Sequence, residues 1–129
     1  MIIFTADVKN QPGELAHICE ALAQRGINVE LAGITSGGQG LVSFTASDED
    51  AARTALNKAS VSFAEHPALL VKTPDRPGEA AKIGRMLSEA HVNIDGYLPT
   101  SICRGEVTVA VSVDKLDDAR RALGDMVVG

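Results

Sequence analysis

The chain has 129 residues, 45% of them hydrophobic and 22% charged, and a formal net charge of −5. That balance suits a globular protein. The acidic excess opposes nucleic-acid binding, which needs clustered Lys and Arg, and gives no attraction to anionic membranes.

No apolar run approaches the roughly 20 residues of a spanning helix. The opening MIIFTADV lacks a basic n-region and Asp7 ends its apolar run, so no signal peptide is expected. Cys19 and Cys103 form no CxxC pair and read as free thiols of a reducing cytoplasm. With three Phe, one Tyr and no Trp, the core must be aliphatic.

The elements follow in order. Residues 2–8 alternate, with Ile2, Phe4, Ala6 and Val8 on one face of a strand. Asn10-Gln11-Pro12-Gly13 breaks it, and Pro12 fits a first helical turn. Leu15, Ile18, Cys19 and Leu22 follow at helical spacing, and Gly26 closes the helix. Residues 27–35 and 41–46 are strands around the turn Ser36-Gly37-Gly38-Gln39-Gly40. Ser47 reads as the N-cap of a second helix with the stripe Ala52, Ala55, Leu56 and Ala59. Residues 60–66 read as a fourth strand, and Pro67 as a break.

The order then repeats. Residues 68–73, 92–101 and 106–113 are strands, residues 77–90 and 115–123 are helices, and residues 126–129 leave a vestigial last strand. The repeat is visible residue by residue. PGELAHICEALAQRGIN at 12–28 and PGEAAKIGRMLSEAHVN at 77–93 share seven of seventeen positions at an offset of 65. The expected fold class is therefore α+β: two ferredoxin-like βαββαβ units, 1–66 and 67–129, with antiparallel sheets and both helices on one face. The other sheet face is too apolar to stand in water, so a twin unit or a second copy is expected to cover it or to extend the sheet.

The repeated polar residues suggest chemistry. A helix N-terminus exposes unpaired N–H groups that hold a carboxylate, and Gly13 and Gly78 present no side chain to block it. Glu14 and Glu79, expected near the third helical position, compete with an anion but suit a zwitterion, whose ammonium sits beside an acid. Asn28 and Asn93 open the second strands, where Asn is disfavoured. Each closes a turn or offers its carboxamide to a ligand. The second strand is expected to start near its own Pro-Gly loop or near that of a twin unit.

At these residues the chain resembles the ACT domain, a small regulatory module that binds amino acids. Asn10-Gln11-Pro12-Gly13 with Gly26-Ile27-Asn28-Val29, and Asp75-Arg76-Pro77-Gly78 with His91-Val92-Asn93-Ile94, follow its pattern. The second copy is similar to the tandem ACT units of aspartokinase. The resemblance implies a ligand at an interface between ACT units. Its site would comprise Asn10, Gln11, Gly13, Glu14 and Asn28, and Asp75, Arg76, Gly78, Glu79 and Asn93, with main-chain groups of Ile27 and Val92. His91 departs from the usual glycine.

Three rivals remain. An enzyme would need a base beside Cys103, and His17, His66 and His91 share no ligand spacing with the cysteines, so no catalytic, metal or cofactor residue is expected. An RNA-binding sheet needs stacking aromatics, and LVSFTA and EVTVAV hold one Phe between them. An interaction module without a ligand fits every repeated residue. The expectation is a cytoplasmic, homodimeric, non-catalytic protein that binds a free amino acid. Its signal would pass to a separate metabolic enzyme or regulator, and no nucleic acid or membrane would be a partner.

Overall fold

The alternation of residues 2–8 becomes strand β1 (Ile2–Lys9) in a computed structural model that describes residues 1–129. After it come α1 (Glu14–Ala23), β2 (Val29–Ser36), β3 (Gln39–Ala46), α2 (Glu49–Lys58) and β4 (Ala64–Pro74). Helix α3 (Glu79–Glu89), β5 (Ile94–Cys103), β6 (Glu106–Val113), α4 (Leu116–Leu123) and a 3₁₀ turn (Gly124–Met126) complete the chain. The fold is α+β, with two ferredoxin-like units. The residues divide into a first unit, Ile2–Glu65, and a second, His66–Gly129 with Met1.

In the first unit β3 lies between β2 and β1, antiparallel to both. Phe4 stands opposite Phe44 and their rings stack at 5.3 Å. Ile18 and Leu22 of α1 and Ala52, Ala55 and Leu56 of α2 bury against that face. Each of the larger aliphatic side chains contributes about 1.5–3 kcal/mol when fully buried. In the second unit β6 lies between β4 and β5, and Val71, Val109 and Val111 meet Ile83 and Leu87 of α3. The opposite sheet faces are not simply solvated, since Ile3, Thr45, Leu98, Ala110 and Ser112 are also buried.

Several local expectations change. Residues 60–66 are not a separate strand, and Pro67 does not break the chain: β4 runs through it. A proline already has the φ of extended backbone and loses only its own N–H. Val61 and Phe63 instead pack on the first core, and Arg53 of α2 grips Glu65 at 2.8 and 2.5 Å. Leu15 leaves the apolar stripe and is exposed. The N-cap of α2 is Asp48, which accepts from the Ala51 amide at 3.0 Å. Ser47 serves elsewhere, as described below.

The vestigial last strand reduces to one bridge, Val127 to Val71, flanked by the Leu70 amide to Gly129 and the Val128 amide to Leu70. His91, despite its side chain, adopts the same left-handed conformation as Gly26 (φ 57° against 67°). The second copy therefore keeps the geometry that its missing glycine puts in question.

Candidate functional site

Gly13 and Gly78 are the N-caps of α1 and α3, each at φ 92° and each with no side-chain cap bond. That conformation is why glycine stands there: side chains rarely tolerate it. Pro12 and Pro77 therefore precede the cap rather than enter the first turn, and Glu14 and Glu79 are the first helical residues. No side chain satisfies the first amides of either helix, which leaves them to water or a ligand.

The carboxylates differ. Glu14 is half-buried and accepts from Gln11 Nε2 at 3.0 Å. Glu79 is buried, accepting from Arg76 Nε at 2.6 Å and from Thr73 Oγ1 at 3.0 Å. The Arg76 bond first, and the Thr73 bond second, hold its carboxyl below the usual carboxylate range. At the offset of 65, Gln11 stands for Arg76 and Val8 for Thr73. The second helix start is thus closed around its own acid.

The first is open. A cleft of about 360 Å³ lies beside it, walled by Val8, Leu15, Ile34 and Leu41 with Gln11 and Glu14 among its polar groups. Gly40 lies against Val8, where an added Cβ would stand 2.7 Å from Val8 Cγ2. Leu15, Ile34 and Leu41 are all exposed, Ile34 to 76%. An apolar wall with one acid and a few convergent polar groups is the usual form of a small-molecule site, and 360 Å³ is at the small end of their range.

The structure gathers Asn10, Gln11 and Glu14 at this cleft. It does not bring Asn28 to them. Val29 pairs with Ala46 while Lys9 pairs with Gln39, so Asn28 lies at the opposite end of its sheet from Gly13. Asn93 lies likewise far from Gly78, because Ile94 pairs with Val113 and Pro74 with Glu106. Strand β2 starts where α1 ends, and a helix antiparallel to β1 returns the chain to the far end.

Both asparagines have a structural role there. The Asn28 amide donates to Ser47 Oγ at 3.0 Å and its carbonyl accepts from the Ser47 amide at 2.9 Å. The Asn93 amide and carbonyl meet Asp114 in the same way, at 2.9 and 3.2 Å. The Asn93 carboxamide donates to Asp95, whereas Asn28 itself is exposed. The amides of Ile27 and Val92 already bond the carbonyls of Leu22 and Leu87. Val92 and Asn93 also line an open hollow of about 470 Å³ with Gly84 and Ser88. Asp75 is fixed through its amide to the Gly105 carbonyl at 2.8 Å.

Residues 2–59 match the ACT domain family. The first unit is an ACT domain. Its Pro-Gly loop, uncapped α1 and exposed Asn28 are the features that the sequence pattern singled out. Across nearly its whole length the chain is similar in fold to protein BT0572 from Bacteroides thetaiotaomicron. The TM-score is 0.82 at 23% identity, over 95% of this chain and 85% of that one. It is similar also to the regulatory subunit of aspartate kinase from Thermus thermophilus, in its ligand-free form. There the TM-score is 0.69 at 22% identity, over 97% and 90% of the two chains. For the same subunit from Thermus flavus the values are 0.65 and 21%, over 95% and 88%. No curated protein matches the chain in sequence. The likeness in fold thus extends past the matched residues into the second unit. No helix is long and apolar enough to cross a membrane.

The residues that sequence reasoning missed are the walls: Val8, Leu15, Ile34 and Leu41 in the first unit and Thr73 in the second. Ile34 had a signal, since it falls on the face of β2 opposite the core residues Val29 and Leu31.

Proposed function

We propose that this protein is a cytoplasmic, non-catalytic regulator that binds a free amino acid at an interface between ACT units. Its two ACT units, 1–66 and 67–129, are unequal, and the first holds the ligand. The observation that carries this reading is the open cleft at the start of α1, where an uncapped helix, one carboxylate and an apolar wall converge. The free amides of α1 take the ligand carboxylate, Glu14 takes its ammonium, and the side chain lies along Val8 and Leu15. Gln11 and Asn10 read the rim. The match of the first unit to the ACT family supports the reading, as does the likeness to aspartate kinase regulatory subunits. The state of the site passes to a separate metabolic enzyme.

Isothermal titration of the purified chain with each free amino acid tests this. Saturable binding of one of them, weakened in Glu14→Ala, supports it; no binding across the set overturns it.

A second reading has its own support. The Asn28–Ser47 and Asn93–Asp114 clamps and the closed Glu79 explain the repeated residues without a ligand. On that reading the protein is an interaction module that assembles with a partner enzyme. Retention of such an enzyme by ligand-free protein that binds no amino acid favours it.

A further inference from the structure

The cleft at the start of α1 has a stretch of floor without a side chain. Alternation along β2 puts Gly33 on the same face as Val29 and Leu31, which pack on the first core. Gly33 stands opposite the buried Val42 of β3, and both line the cleft with Val8 and Leu15. A Cβ added at Gly33 would meet Val42 Cγ2 at 3.7 Å and the Leu41 carbonyl at 3.6 Å, which are ordinary contacts. The backbone at Gly33 has no left-handed φ that would call for glycine. What the glycine provides here is room.

The second unit lacks this floor. Val42 pairs with Ala6 and Val109 with Val71, so Val109 is the equivalent of Val42. Gly33 faces Val42 and Pro99 faces Val109, so Pro99 stands for Gly33. Thr73 stands for Val8 and Ala80 for Leu15, and the Thr73 hydroxyl is spent on Glu79. An open, aliphatic lining thus belongs to the first unit. The polar side chains of its cleft gather at the turn from β1 to α1, as Lys9, Asn10, Gln11 and Glu14. Thr35, the remaining polar residue of the lining, has its methyl 3.6 Å from the place of a Gly40 Cβ.

We propose that the ligand's side chain is aliphatic, of the leucine, isoleucine and valine class, and lies over Gly33 against Val42, Val8 and Leu15. This selectivity rests on the ligand site proposed above. With the ligand carboxylate on the α1 amides and its ammonium on Glu14, both charges stay at the polar turn. The side chain then extends onto the aliphatic floor. A charged side chain there would lose its water and gain no partner. Each methylene that an apolar pocket accepts is worth roughly 10–200-fold in discrimination. A side chain at position 33 would occupy the same space, so Gly33 sets the depth of the cleft.

Calorimetric titration of the whole chain with leucine, isoleucine, valine, threonine, alanine, lysine and aspartate tests this. The tightest of the first three should bind at least tenfold more tightly than alanine, and lysine and aspartate should not saturate. Valine should bind more tightly than threonine, which has the same shape but carries a hydroxyl. Gly33→Val suits a strand and fills the floor. It should keep the wild-type circular dichroism and weaken the tightest ligand tenfold or more. Gly33→Ala takes up one methyl of depth and should narrow the advantage of leucine over alanine. Tightest binding of lysine, aspartate, threonine or alanine, or undiminished binding by Gly33→Val, would overturn the aliphatic assignment and leave the ligand reading standing. No binding of any amino acid would overturn both. No binding together with a lower sedimenting mass for Gly33→Val would put a second copy of the chain in the cleft instead.

Discussion

Arg76 donates its Nε–H to Glu79 at 2.6 Å, across the same turn in which Gln11 meets Glu14 at 3.0 Å in the first unit. One repeat thus carries a buried, doubly bonded acid at its helix start, and the other a half-open one beside a cleft. Two copies of one motif have diverged in how the first acid of the helix is held.

Glu79 makes the second unit sensitive to acid. Its folded pKa is depressed, so its carboxylate contributes stability above the unfolded value of about 4.3. That contribution is lost as pH falls through the folded pKa. The melting temperature of Glu79→Gln should lie below wild type at neutral pH, and the gap should shrink on the acid side of that window. Thermal melts across pH check this; a gap that does not change with pH refutes it.

The cap glycines should resist substitution for backbone reasons alone. An added Cβ at Gly13 or Gly78 meets nothing within 4 Å, yet both have φ 92°. Gly13→Ala and Gly78→Ala should each cost about 1–2 kcal/mol in denaturant unfolding. Gly84, inside α3 and equally uncrowded, has ordinary helical backbone. Gly84→Ala should instead stabilise by about 0.5–1 kcal/mol.

Asp48 and Ser47 are neighbours with separate work. Asp48→Ala removes the cap of α2 and should cost about 1 kcal/mol. Ser47→Ala leaves the cap but takes the hydroxyl from the Asn28 amide. Hydrogen exchange separates them: the first variant should loosen the α2 amides, the second the amide of Asn28.

The proposed amino-acid site should show its asymmetry in binding. Glu14→Ala should weaken the ligand by roughly tenfold or more, the loss of one charge-assisted hydrogen bond. Arg76→Ala should leave affinity within twofold, because it stands at the closed start. At a hundredfold its dissociation constant the ligand should stabilise the wild type by about 2.7 kcal/mol. Titration of the three proteins decides; equal losses for Glu14→Ala and Arg76→Ala would mean equivalent sites.

The repeat was legible because it is written in identities at one offset, and Pro-Gly at 12–13 and 77–78 named both helix starts. The left-handed turn at Gly26 was legible because glycine is the usual residue just past a helix end. Its equivalent at His91 was not, since nothing in a histidine announces φ 57°. The run of β4 through Pro67 was hidden because a proline reads as punctuation, although its φ fits a strand. The role of Ser47 was hidden because a cap and a clamp on a distant strand start look alike in sequence; the geometry gives the cap to Asp48.

By itself the sequence determined the two ACT-like units, their order of elements and the residues at the turns, because periodicity and turn chemistry are local. Only the tertiary structure decided where those residues stand. Strand register moved Asn28 to the far end of the sheet from Gly13, since α1 carries the chain back along β1 before β2 begins. Packing closed Glu79 between Thr73 and Arg76 and left Glu14 beside Val8 and Gln11. These are contacts between residues brought together by folding, and no spacing along the chain encodes them.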